Sequence, residues 1–160
     1  MSLIDRKGRF VLISPVHVAN NILKRGYDEK VEITPLKLQK LVYFVYKDYL
    51  KKTGYPLFTE PFETWTYGPV IPSIYAEFSS YGKKPIKTFA KDSRGKSFIV
   101  TESGAFGNSI DKVWGMYGRL SGETLSKLTH REGTAWTKAK DNKSNYLNIE
   151  DIRNEEELFA

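Results

Sequence analysis

Hydrophobic positions in the first third of the chain recur at three- and four-residue spacing, the period of a helix with one face turned to a core. Ala19, Ile22 and Leu23 mark a first helix over about Pro15 to Arg25, and Leu38, Leu41, Val42, Val45 and Tyr49 mark a second over about Pro35 to Lys52. Ser14-Pro15 and Thr34-Pro35 punctuate both starts in the same way. Each puts a hydroxyl at the N-cap and a proline at the first helical position, where no amide hydrogen is missed. Gly26 and Gly54 supply the matching stops. The second helix has a further row, Gln39, Tyr43, Tyr46 and Leu50, beside the first. Together the two rows cover roughly 200° of its circumference. That arc is too wide for a surface helix packed on one side, so this helix is expected at the centre. The remaining face carries Lys37, Lys40, Lys47 and Lys51 with Phe44 among them, and reads as an exposed lysine stripe. Phe44 is there either as an anchor for a partner or beneath another element.

Beyond Gly54 the pattern shortens. Phe62 to Tyr67 reads as a short strand or extended turn ending at Gly68-Pro69. A third helix over about Pro72 to Tyr81 turns Ile71, Ile74, Tyr75 and Phe78 inward and stops at Gly82. Ile86 to Ala90 and Ser97 to Thr101, joined by Asp92-Ser93-Arg94-Gly95, form the pattern of a small hairpin with a basic tip. Ile110, Val113, Trp114 and Tyr117 place a fourth helix over about Ser109 to Tyr117. Ser121 caps a fifth, Thr134 opens a short turn containing Trp136, and Glu150 to Phe159 forms a last helix. The expectation is a mainly α single domain over residues 1–160, with five to six helices around a central one and a small β-hairpin.

Charge changes this picture in two places. The formal net charge is +6, but residues 150–160 carry −4, which leaves +10 on the rest. Lys83, Lys84, Lys87, Lys91, Arg94 and Lys96, opposed only by Asp92, concentrate +5 in one segment. Such a surface suits an acidic partner, and nucleic acid is one class to weigh. The helices starting at Pro15 and Pro35 are joined by too long a connection for a helix-turn-helix, which disfavours that class. No apolar run reaches the ~20 residues of a membrane span, and Met1 to Phe10 lacks a signal-peptide core, so a cytoplasmic protein without a membrane partner is expected.

Candidate chemistry is sparse. With no cysteine, the chain has no disulfide framework, thiolate metal ligands or thiol nucleophile. Gly95-Lys96-Ser97 resembles the end of a phosphate loop, but Ala90 stands where that loop needs glycine. His17 and His130 are 113 residues apart. His130-Arg131-Glu132 has the spelling of a nucleobase deaminase without its cysteine ligands. The favoured reading of His130 is structural: it ends a helix, and its ring bonds a loop carbonyl. Trp65 and Trp136 either pack beneath loops or line a groove for a peptide. No catalytic residue, metal ligand or cofactor site is expected.

Several runs, taken in order, are similar to the Panacea-domain, or SocA-like, antitoxin family. They are Val18 to Leu23; Ile33-Thr34-Pro35-Leu36-Lys37-Leu38-Gln39-Lys40-Leu41-Val42-Tyr43-Phe44; Glu63-Thr64-Trp65-Thr66-Tyr67-Gly68-Pro69-Val70; and Leu125-Ser126-Lys127-Leu128-Thr129-His130-Arg131-Glu132-Gly133-Thr134-Ala135-Trp136. The motif residues are Leu38, Gln39, Lys40, Leu41, Tyr43, Trp65, Gly68, Pro69, Thr129, His130 and Trp136. One departure is visible: the family often has proline before the tryptophan, where this chain has Ala135. The resemblance implies a helical, non-enzymatic protein that neutralises a toxin encoded nearby by binding it, or, in one member type, delivers it to the ClpXP protease. Lys37, Lys40, Phe44, Lys47 and Lys51, with Lys87, Lys91 and Arg94 of the basic segment, are the candidate partner contacts. The acidic end is the segment nominated for a protease. Gln39, on the central helix, is expected to satisfy buried backbone near Gly68 or Thr129.

Overall fold

The computed structural model describes residues 13–157, together with the backbone of 3–4 and 10–11. Within these residues the chain is mainly α. Seven helices follow one another: α1 (Pro15–Glu29), α2 (Pro35–Thr53), α3 (Pro72–Phe78), α4 (Gly104–Tyr117), α5 (Gly122–Thr129), α6 (Ala135–Asp141) and α7 (Ile149–Arg153). A 3-10 turn, Ser79–Tyr81, extends α3. Two antiparallel hairpins complete the fold, one pairing β1 (Leu3–Ile4) with β2 (Phe10–Val11), the other β3 (Glu63–Trp65) with β4 (Gly68–Val70). No helix among the described residues is long and apolar enough to cross a membrane.

The central helix is more completely enclosed than its hydrophobic arc implies. Every residue of α2 from Lys37 to Leu50 is buried, with α1, α3, α4, α5, α7 and β4 packed around it. The exposed lysine stripe is therefore corrected. Lys37, Lys40 and Lys47 are covered, and Lys51 is half-buried. Phe44 lies under α4, stacked on Tyr117 at 4.5 Å. Lysine tolerates this because its stem is apolar and only its tip needs a polar partner. Lys47 finds one in Glu155, at 2.6 Å.

Thr34 caps α2 through its hydroxyl, which accepts from the Lys37 amide, and Gly54 ends the helix in a left-handed conformation, both as expected. The first helix, however, runs past Gly26 to Glu29. Gly26 is not a stop but a point of close approach: a Cβ there would lie 2.7 Å from the Ile33 side chain and 2.8 Å from the Val31 carbonyl. The fourth helix likewise begins earlier than expected, at Gly104. The last helix is shorter. It ends at Arg153, and Leu158 and Phe159 of the expected span lie outside the described residues.

The hairpin expected over residues 86–101 is not formed. The turn at its tip exists, with the Asp92 carboxylate accepting from the Arg94 and Lys96 amides, but its arms do not pair as strands. They are held by α1 instead. The Asn20 side chain accepts from the Ala90 N–H and donates to the Ala90 carbonyl, and Asn21 does the same with Val100. Each amide supplies the donor and acceptor that a neighbouring strand would have offered.

After α7 the chain runs back over α2 as a strap centred on Glu155, which is buried. Its carboxylate accepts from Lys47 Nζ, from the Tyr43 hydroxyl at 2.9 Å and from the Ala135 N–H at 2.9 Å, while Lys51 Nζ donates to its backbone carbonyl. Burial, and next to it the Glu155 charge, raise the Tyr43 phenol well above its usual range. Removing one member of such a buried pair leaves the other charge stranded. Glu155→Ala is therefore expected to lower the unfolding free energy by about 3–5 kcal/mol in urea denaturation. Glu156→Ala, one residue on and exposed, should change it by about 0.5 kcal/mol or less.

Candidate functional site

Of the motif residues, Gln39, Lys40, His130 and Trp136 converge on one object, the backbone of the β3–β4 hairpin and the residue that follows it, whereas Leu38 and Leu41 belong to the core and Tyr43 to the strap. The hairpin carbonyls are taken in turn by side chains from three other helices and a helix end. Trp136 Nε1 on α6 donates to the Trp65 carbonyl at 2.7 Å, and His130 Nε2, at the end of α5, lies 2.9 Å from the Thr66 carbonyl. The Ser126 hydroxyl on α5 donates to the Tyr67 carbonyl at 2.6 Å, and Lys40 Nζ on α2 donates to the Pro69 carbonyl at 2.9 Å. Gln39 grips both groups of Ile71: its Nε2 donates to the carbonyl at 3.1 Å and its Oε1 accepts from the amide at 2.9 Å. The expectation for Gln39 is realised three residues beyond Gly68.

Gly68 sits at the centre of this clamp with φ +115°, in the region that favours glycine. A Cβ at that position would lie 2.6 Å from the Thr129 hydroxyl and 2.8 Å from Lys40 Cε. Pro69 follows on β4, where its missing N–H removes a donor from the strand. The Thr129 hydroxyl, in contact with the turn, donates back to the Ser126 carbonyl at 2.7 Å.

His130 caps α5, as expected of a helix-ending residue. Its Nδ1 lies 2.6 Å from the Ser126 carbonyl, and its ring packs on Trp136 with centroids 3.8 Å apart. Both ring nitrogens thus face backbone oxygens. Glu132 is exposed beyond it. Among the described residues no group of three or more His, Asp or Glu side chains comes together as a metal site.

With the hairpin clamped through its backbone, the side chains at its turn, Thr66 and Tyr67, stay exposed and Trp65 half-buried. Trp65, Tyr67 and Tyr75 of α3 stand along one wall of an open cleft of about 520 Å³, and Leu36, Ile74 and Phe78 line the rest. Tyr67 is 68% exposed and Tyr75 48%. Trp65 is held in place by its Nε1, which donates to Glu63 at 2.8 Å, and by an edge-on contact with Tyr75 at 4.7 Å. Lys40 also lines the cleft although it is fully buried. Burial lowers its ammonium from 10.5 to about 7.

The family model described as antitoxin SocA-like, Panacea domain, matches residues 38–137, a span that begins on α2 and ends on α6 and so takes in the whole clamp. The chain belongs to the SocA-like Panacea-domain antitoxin family. Antitoxin SocA of Caulobacter vibrioides (strain NA1000 / CB15N) is 33% identical to it over an alignment of 124 residues that covers 74% of this chain and 66% of that protein. No solved structure matches it.

For this Panacea domain the candidate contacts named from sequence separate into two groups. Lys87, Lys91 and Arg94 lie exposed on the basic segment, whereas Lys37, Lys40, Phe44 and Lys47 are covered and Lys51 is drawn to the strap. The cleft residues Leu36, Thr64, Ile74 and Phe78, and the clamping Ser126, were not singled out as site residues. Ser126 and His130 are four apart on α5, so both reach the hairpin from one face, a spacing visible in the sequence once the turn at Gly68 is taken as their target.

Two outcomes follow. Gln39→Leu leaves the Ile71 amide buried without its acceptor, while the Ile71 carbonyl keeps the Ile74 and Tyr75 amides, and is expected to cost about 1–3 kcal/mol, read as a lower melting temperature. For Lys40, the folded state holds the proton more weakly than the unfolded state, so between about pH 7 and 10 the unfolded chain binds more protons and stability rises with pH. The rise should approach about 1.4 kcal/mol per pH unit at its steepest and be absent from Lys40→Met.

Proposed function

We propose that this antitoxin-family protein neutralises a protein toxin encoded nearby by binding it directly, with the aromatic wall of the cleft as the principal contact and the basic segment as an electrostatic one. The observation that carries this reading is the division of labour at the hairpin. Lys40, His130 and Trp136, with Ser126, are spent on its backbone, and the hairpin they hold presents half-buried Trp65 and exposed Tyr67 beside Tyr75 of α3 along an apolar cleft. Exposed aromatics on a rigid support bring large contact area at little entropic cost, which is what a binding hot spot requires. Lys83, Lys84, Lys87, Lys91, Arg94 and Lys96 are all exposed, and a single-sign patch of this kind steers encounter with an acidic partner more than it holds the complex.

Co-expression with the product of the neighbouring gene tests the reading. The unaltered chain should restore growth and co-purify with that product. Tyr67→Ala and Tyr75→Ala should each weaken the complex at least ~10-fold with an unchanged melting temperature. Lys87→Glu with Lys91→Glu should slow association, by a factor that shrinks as salt is added. Aromatic variants that bind and rescue like the parent would rule out this surface. Rescue that persists in cells lacking ClpXP separates blocking of the toxin from its delivery to the protease.

A further inference from the structure

The cleft contains two polar groups that the fold leaves short of partners. Lys40, fully buried, has three donors and one acceptor among the described residues, the Pro69 carbonyl. Carboxylates on the elements around α2 and the hairpin are engaged elsewhere: Glu63 with Trp65 Nε1, Glu60 with the amide and hydroxyl of Ser73, and Glu155 with Lys47 and Tyr43. Thr64 also lines the cleft, and its hydroxyl is buried with no hydrogen-bond partner among the described residues. It stands opposite Pro69 in the β3–β4 ladder, so both groups belong to the same rung of the hairpin. A buried ammonium without a counter-charge is costly to maintain. A purely apolar occupant would add to that cost by closing the cleft over it.

We infer that the cleft recognises a carboxylate, an aspartate or glutamate side chain set between apolar residues of the partner, which accepts from Lys40 and Thr64 while its neighbours pack on Trp65, Tyr67 and Tyr75. The inference rests on the toxin-binding reading and names the chemistry of the segment bound. It also makes recognition pH-dependent, since only the charged form of Lys40 pairs with a carboxylate. Affinity should fall about 10-fold between pH 6 and pH 8. The other titratable groups around the hairpin are Lys37 on α2, Glu60 and Glu63 beside β3, Tyr67 and Tyr75 at the cleft wall, and His130 at the end of α5. The slope belongs to Lys40 only if Lys40→Met removes it.

Peptides selected from a random displayed library on the whole chain are the probe. The expected consensus has one Asp or Glu flanked by apolar residues. A selected peptide should bind the unaltered chain at least ~10-fold more tightly than its Asn or Gln twin, and folded Lys40→Met or Thr64→Val should narrow that gap. A selection that yields no binder, peptides without an acidic residue, or equal affinity of the acid and amide twins would overturn the inference. The twin comparison uses the unaltered chain and so does not depend on any variant folding. Growth rescue separates the two readings: rescue with equal twins removes the carboxylate and keeps the toxin, while acid-selective peptides without rescue keep the carboxylate site and remove the toxin.

Discussion

Enclosure of α2 on every side is the constraint from which the rest of the structure follows. A helix buried over all its residues from Lys37 to Leu50 has no solvent face on which to discard polar side chains, so each must be met from inside the molecule. The Gln39 amide is met by Ile71, Lys40 by Pro69, Lys47 by Glu155, and Asp48 by the Ser109 hydroxyl and by Lys52 and Lys112. Each of these pairings fixes the position of another element. Gln39 and Lys40 seat the end of the hairpin, Lys47 seats the C-terminal strap, and Asp48 ties down α4. The polar residues of the central helix thus act as the addresses to which the surrounding pieces dock.

A second device recurs with it. Asn20, Asn21 and Gln39 each present a side-chain amide to an extended backbone residue and exchange two hydrogen bonds with it, at Ala90, Val100 and Ile71. A helical domain with little sheet must still satisfy the backbone of its long connections. Helix-borne amides do so without adding an exposed strand edge. This accounts for the fate of residues 86–101. Their alternation and turn chemistry suit a hairpin, but the bonds that would have joined the two arms are made with α1.

What was legible in the sequence is local: the caps at Thr34 and Ser121, the stop at Gly54, the width of the apolar arc on α2, and the role of His130 at a helix end. What was not legible depends on partners far along the chain. Lys47 reads as a surface residue because an unpaired ammonium belongs in water, and nothing near it in sequence predicts a carboxylate 108 residues away. Gly26 reads as a helix stop because glycine often is one, yet here it serves the approach of Val31 and Ile33. The motif as a string pointed to the right family, whereas its physical meaning, a clamp on one hairpin, emerges only when the four carbonyls it holds are identified.

Ala135 shows how a departure from the family pattern can be read physically. Proline at that place, the first residue of α6, would fit the helix, since no intrahelical bond is lost there. In this chain the Ala135 N–H is not idle: it donates to the Glu155 carboxylate at 2.9 Å, beside Tyr43 and Lys47. A proline would remove that donor and bring its ring toward the carboxylate. The alanine and the strap therefore belong together. Because Thr134 caps α6 through its own hydroxyl, the helix keeps its start without proline, and Trp136, one residue on, still reaches the Trp65 carbonyl. The C-terminal strap and the hairpin clamp thus meet at a single helix start. Ala135 bonds Glu155 and the adjacent Trp136 bonds Trp65 at the cleft wall, although the acidic segment itself is not among the residues that line that cleft.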